Sequence, residues 1–148
     1  MIRRQKFLLD RTGASAVEFA LIIGPLLLLL FGSIEFGRYL WTRQALQETA
    51  IAGARCLAVP QSECMLSGTY NAATARTHVQ SIARGWGIAL ADQGVTLEPD
   101  VSCAGTSGFS RVVVSAPFNS PVPQVMTALT GAETISASAC FPNVPEAG

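Results

Sequence analysis

From Phe19 to Ile34 the chain reads FALIIGPLLLLLFGSI, without one charged side chain. Taking in Ala16-Val17-Glu18 in front brings the stretch to the about 20 residues that a bilayer core requires. A helix of a soluble domain is apolar along one stripe, not all round. The flank before it, MIRRQKFLLDRTG, sets Arg3, Arg4, Lys6 and Arg11 against Asp10. A basic flank of this kind stays in the cytoplasm, so the chain is expected to run N-in and C-out. Gly24-Pro25 falls inside the run, where the missing backbone donor predicts a kink. A cleaved signal peptide would have a shorter apolar region and a small-x-small site after it. Here Glu35-Phe36-Gly37-Arg38-Tyr39 follows, and then a further helical pattern.

Composition narrows the function. The 148 residues are 49% apolar and only 14% charged, with ten basic and ten acidic side chains. Such a chain is too apolar to be disordered. With no basic excess it has no electrostatic footprint for nucleic acid. A single His and scattered carboxylates predict no metal site, and GxGxxG and Walker patterns are absent. No residues are nominated as catalytic, no cofactor is implied, and an enzyme is not expected.

Outward from the apolar run, residues 39–58 read YLWTRQALQETAIAGARCLA, rich in good helix formers. Leu46, Ala50, Gly53 and Leu57 recur at helical spacing and predict one packed face. Tyr39 and Trp41 stand where interfacial aromatics belong. VPQSECMLSGTY, residues 59–70, reads as a loop. Asn71 is the expected N-cap of a second helix over residues 72–92, with Ala75, Val79, Ile82, Trp86 and Ala89 on its apolar stripe and Gly94 as its terminator. His78 is expected at the surface. Val95–Glu98, Phe109–Ala116 and Glu133–Phe141 read as strands, and Gln124–Leu129 as a short helix. The expected fold is α+β. A long N-terminal helix, part transmembrane and part periplasmic stalk, packs with a second helix and a small antiparallel sheet. The expected segments are a basic leader over residues 1–13, a transmembrane helix over 14–36 and its periplasmic continuation over 37–59. A small α+β domain over 60–141 and a flexible tail over 142–148 follow.

Cys56, Cys64, Cys103 and Cys140 all follow the apolar run, on the oxidising side of an N-in protein. Four cysteines allow three pairings. Cys56 and Cys64 bracket a loop, and Cys103 and Cys140 end two strands. Disulfides Cys56–Cys64 and Cys103–Cys140 are therefore the expected pair. Zinc or thiol redox chemistry would favour C-x-x-C spacing, which is absent.

Glu18 is out of place in a simple anchor, because an acid near hydrocarbon is costly. Gly13 lies five positions before it, directly after the basic stretch. Gly13-Ala14-Ser15-Ala16-Val17-Glu18-Phe19 resembles a prepilin-peptidase site. Together with Glu35-Phe36-Gly37-Arg38, Gln44-Ala45-Leu46 and Ala50-Ile51-Ala52-Gly53-Ala54-Arg55, it resembles the TadE-like minor pseudopilins of the tight-adherence (Flp-type) pilus apparatus. The usual acidic residue before Gly-Ala-Arg is replaced by Ala52, and Cys56 follows the Arg. The resemblance implies cleavage between Gly13 and Ala14, with Glu18 and Phe19 completing the processing site. It also implies a pilin-like fold and roles in assembly for Glu18, Glu35 and Arg38.

The partners implied are the membrane, a prepilin peptidase, other pilins or pseudopilins and inner-membrane platform proteins, without nucleic acid. The location implied is the bacterial inner membrane, single-pass, with the C-terminal domain in the periplasm and entry into a pilus left open. The alternative is an unprocessed bitopic envelope protein whose disulfide-bonded domain scaffolds a complex or binds a ligand.

Overall fold

The structure of the chain, a computed structural model, describes residues 13–59, 61–121, 127–128, 130–131 and 133–144. It divides into two compact units, Met1–Arg38 and Tyr39–Gly148. One helix, α1 (Ala14–Ala58), supplies the described part of the first unit and the opening element of the second. Its helical assignment runs unbroken through Pro25. In the first unit the large apolar side chains from Leu26 to Phe31 are all exposed. Leu21, Ile22, Leu28 and Leu29 are 70%, 67%, 77% and 73% exposed. A soluble surface rarely carries so large a contiguous apolar area. The helix is long and apolar enough to cross a membrane.

In the second unit the same helix turns amphipathic. Ala45, Leu46, Thr49, Ala50, Gly53 and Ala54 are buried at helical spacing. The second helix, α2 (Ala72–Gly85), starts at Asn71, whose side-chain oxygen accepts the Thr74 N–H at 3.0 Å. It ends seven residues short of the sequence expectation. Gly87 takes φ +79°, the Ile88 N–H reaches back to the Ala83 carbonyl and the Gly87 N–H to that of Arg84. That is a Schellman closure, which a glycine in the left-handed region favours. Trp86 therefore caps the helix and is exposed, while Ala75, Val79 and Ala83 form the buried stripe.

Three strands follow: β3 (Val95–Cys103), β4 (Thr106–Pro117) and β5 (Thr134–Pro142). They form one antiparallel sheet in the order β3-β4-β5. β3 is longer than Val95–Glu98. Pro99-Asp100 interrupts the alternation, and the register shifts between Glu98 and Val101. An edge strand tolerates the missing proline donor. The segment read as a loop before α2 holds a short hairpin, β1 (Met65–Leu66) with β2 (Thr69–Tyr70). Its turn, Ser67-Gly68, has φ of 55° and 81°, the positive values a two-residue hairpin loop demands.

The core joins Leu46, Ala50 and Ala54 of α1 and Val79 and Ala83 of α2 with Val112 and Val114 of the central strand. Both helices therefore pack on one face of the sheet, in an α+β arrangement. Two glycines sit where no side chain fits. A Cβ on Gly53 would lie 2.9 Å from Val79 Cγ2, and one on Gly94 would lie 2.5 Å from the Ser115 carbonyl oxygen. Gly94 thus permits a backbone approach at the start of the sheet and does not terminate α2. The short helix expected at Gln124–Leu129 falls mostly outside the described residues. Of the expected tail, Pro142 closes β5, and the Asn143 amide donates to the Pro99 carbonyl at 3.1 Å. The Val144 N–H bonds Ala58 at 3.1 Å. Residues 145–148 lie outside the described ones.

Candidate processing and assembly segment

The candidate segment begins at the first turn of α1. Gly13 is exposed and opens directly into the helix, whose first residue is Ala14. A Cβ at Gly13 would meet no atom within 4 Å. Among the described residues no contact therefore demands a glycine at this position. Glu18 is four residues from Ala14, so the two occupy neighbouring positions on one helix face. The Glu18 side chain is exposed, as is that of Phe19. The basic residues of the flank, from Arg3 to Arg11, lie outside the described residues.

Nearly five turns beyond Glu18, at about 3.6 residues per turn, Glu35 and Arg38 come together. Arg38 Nη1 donates to Glu35 Oε1 at 2.7 Å, an i,i+3 pair along the helix. Glu35 is 8% exposed, whereas the Arg38 side chain is half-exposed. A carboxylate so withdrawn from water needs charged or hydrogen-bonding company, and Arg38 provides it within the same turn. Glu18 is the exposed acid of the apolar stretch, and Glu35 the withdrawn one.

In the second unit, two disulfides fix the ends of its elements. Cys56 near the end of α1 is bonded to Cys64 before the hairpin, with Cα atoms 6.0 Å apart. Cys103 at the end of β3 is bonded to Cys140 of β5, with Cα atoms 6.5 Å apart. The second bond ties together the two edges of the sheet across β4. On the same sheet Glu98 and Arg111 face each other across β3 and β4 in direct ion-pair contact. The Arg111 guanidinium hydrogen bond holds the Glu98 carboxyl below its ordinary range.

His78 is half-buried and lines a shallow open depression with Glu63, Thr74, Thr77 and Ser81. The hydroxyls there bond to their own helix: Thr77 donates to the Ala73 carbonyl and Ser81 to that of His78. Among the described residues no cluster of His, Cys, Asp and Glu could hold a metal ion.

One juxtaposition was not read from the sequence. Trp41 of α1 and Trp86 at the end of α2 meet edge-to-face, with ring centroids 5.6 Å apart. Tyr39, grouped with Trp41 as interfacial, packs edge-to-face on Phe118 at 5.8 Å. The signal for Trp86 was available in its two flanking glycines, which end the helix before the tryptophan can join the buried stripe.

No curated protein and no solved structure matches the chain. A family match covers under a third of the 148 residues, from the glycine before α1 to Arg55. It takes in Glu18, Glu35 and Arg38 and stops short of every cysteine. Residues 13–55 match the family described as TadE-like protein, and the match suggests a Tad pilus-associated protein with an N-terminal apolar helix.

Proposed function

We propose that the chain is a minor pseudopilin of a tight-adherence pilus apparatus, cleaved between Gly13 and Ala14 by a prepilin peptidase. The observation that carries the reading is the coincidence at one helix start. Gly13, the spacing to Glu18 and Phe19, and the onset of an all-round apolar helix fall together inside the segment that matches the TadE-like family.

The chemistry follows from that placement. Before cleavage the basic flank holds the N-terminus in the cytoplasm, and α1 leads the disulfide-bonded unit into the periplasm. Hydrolysis of the Gly13–Ala14 amide removes the flank and leaves an ammonium group at Ala14. Glu18 then stands one helical turn from a positive charge. Near hydrocarbon such a pair is mutually stabilising, within one chain or between neighbours. When subunits leave the bilayer to assemble, the same pair sets their axial register. Glu35 and Arg38 make a second charged pair one residue beyond the apolar run. The partners of this reading are the peptidase, other pilins and the inner-membrane platform.

The test replaces the native protein by Glu18→Ala. Removing a charge that is costly near hydrocarbon keeps the chain in the membrane. Loss of one partner of a buried pair costs about 3–5 kcal/mol, enough to abolish a weak membrane association. Surface pili should be lost while protein level and disulfide content stay unchanged. Normal pili at normal level would make Glu18 an interfacial carboxylate without a part in assembly.

A further inference from the structure

The two edges of the sheet are built differently. β3 carries the devices that keep an edge strand from pairing with other chains. Pro99 has no N–H to offer, Glu98 and Asp100 flank it with charge, and the register shifts between Glu98 and Val101 and again between Val101 and Cys103. The Pro99 carbonyl is already taken, by the Ser110 hydroxyl at 2.8 Å and the Asn143 side-chain amide at 3.1 Å. β5 has none of these devices. Thr134–Pro142 contains no charged side chain, and proline enters only at its last residue. Its pairing with β4 runs from Thr134 to Pro142 without a shift.

Backbone parity identifies the groups left over. Beyond the two ends of the β4–β5 ladder, the Phe118 N–H donates to the Glu133 carbonyl and the Asn143 N–H to the Gly108 carbonyl, both at 2.9 Å. Hydrogen-bonded pairs alternate with non-bonded pairs in an antiparallel ladder. Ile135, Ala137, Ala139 and Phe141 therefore bond to β4. Thr134, Ser136, Ser138 and Cys140 turn their N–H and C=O groups away from it, and all four residues are exposed. A contact from α1 marks the same direction: Gln47 Nε2 donates to the Ser138 carbonyl at 3.3 Å. This carboxamide N–H stands where the peptide N–H of an added strand would stand.

The side chains say which strand fits. A second copy offers two edges. Its β3 is closed by Pro99. Its β5, paired antiparallel about the centre, would set Ala137 against Ala137 and Ser136 against Ser138. Cross-strand pairs gain energy from aromatic, β-branched and charged partners, with Ala–Ala as the baseline. On the core side Ile135 and Ala137 are buried, and Ala139 packs partly buried against the same core. Bulky apolar side chains on an incoming strand would extend the core past these alanines. Small polar ones would match Ser136 and Ser138 on the other side.

We propose that the β5 edge accepts an extended strand from a different protein chain, bonded through the outward backbone groups of Ser136 and Ser138. The strand is uncharged, with bulky apolar side chains on the core side and small polar ones on the other. This is recognition by strand addition, in which main-chain bonds supply affinity and alternate side chains supply specificity. The site lies wholly within the folded unit and is independent of cleavage at Gly13.

The test uses the full-length chain in detergent and a fluorescent peptide of alternating valine and threonine, long enough to span β5 and ended by lysines for solubility. Binding is read as anisotropy. Ser138→Pro removes an outward donor and leaves the bonds to β4 in place, and Ser136→Pro does the same one pair along. Intact disulfides and an unchanged unfolding midpoint certify folding in both. Each should weaken binding by about tenfold or more. The peptide N-methylated at every second residue should bind in one of the two frames and fail in the other. No binding by the native chain, or indifference to both prolines and to the methylation frame, would make β5 an ordinary edge and overturn the proposal. In cells, a photo-crosslinking phenylalanine derivative at Thr134 should join β5 to an extended segment of a different chain, and adding Ser138→Pro should remove that product. A product of twice this chain's mass would make the occupant a second copy and overturn the assignment to a different chain.

Discussion

Gly53 of α1 lies so close to Val79 of α2 that a single added carbon would stand 2.9 Å from Val79 Cγ2. Val112 Cγ1 would be only 3.3 Å away on the sheet side. Val79 and Val112 are fully buried and β-branched, so neither can swing aside. The glycine is thus the point at which α1, α2 and the sheet share one volume. Gly53→Ala should destabilise the domain: overpacking costs about 1–3 kcal/mol, against about 1 kcal/mol regained in helix propensity. Gly85→Ala, with nothing within 4 Å of its Cβ, should be neutral or stabilising by up to about 1 kcal/mol. Denaturant unfolding of the two variants in detergent, followed by tryptophan emission, should move in opposite directions.

The disulfides close loops of different length, with sequence separations of 8 and 37. On chain entropy the Cys56–Cys64 bond contributes about 2.5 kcal/mol and the Cys103–Cys140 bond about 4 kcal/mol. Replacing Cys103 and Cys140 together by Ser should therefore lower stability more than replacing Cys56 and Cys64. Protein extracted from the envelope should take up no alkylating agent before reduction. Labelling at any of the four positions would show that the pairs do not form in the cell.

The ion pair between Glu98 and Arg111 carries a pH signature. The Glu98 carboxyl is held below its ordinary value by the Arg111 hydrogen bond. A depressed carboxylate pKa adds stability that is fully present above the unfolded value, about pH 4.3. That stability is lost as the pH falls through the lower folded value. Glu98→Gln should therefore flatten the acid side of the unfolding profile and leave its slope at neutral pH unchanged. The pair is partly exposed, so the difference should be small and should shrink further in high salt. Unfolding midpoints between pH 3 and pH 7, with and without added salt, check both statements.

The parts of the fold that were legible in the sequence are those with strong periodicity. The apolar run read as one long helix, and the stripe through Leu46, Ala50 and Gly53 marked the buried face of α1. The strand around Val112–Val114 showed its β-branched run, and that around Ile135–Ala137 its alternation. What escaped was set by single turns and by contacts between distant segments. Two residues with positive φ, Ser67 and Gly68, convert an apparent loop into a hairpin. Gly87 stops α2 before the apolar pattern does, because a Schellman closure satisfies the last carbonyls there. Pro99 hid the second half of β3, since a proline in an edge strand looks like a strand end. The Trp41–Trp86 contact joins positions 45 residues apart, beyond the reach of any local pattern. In the candidate segment the residue types and their spacing were legible. The near-complete withdrawal of Glu35 beside Arg38 was not, because burial on a helix that is apolar all round has no periodic signature.

Processing can be separated from folding at Gly13. The position is exposed and spacious, with no neighbour within 4 Å of an added Cβ. Gly13→Arg should leave membrane insertion, disulfides and domain stability within about 0.5 kcal/mol of the native protein. It should nevertheless block cleavage, because the side chain fills the space beside the scissile bond in the peptidase. Accumulation of uncleaved, folded protein is the expected outcome. Normal cleavage of this variant would place the processing site elsewhere.

The most direct measurement of the whole account is the N-terminal sequence of the protein extracted from the membrane, from cells with and without a prepilin peptidase. The account predicts Ala14 as the first residue when the peptidase is present and the intact leader when it is absent. A chain that keeps residues 1–13 in the presence of an active peptidase would contradict it, and would leave an unprocessed bitopic envelope protein in its place.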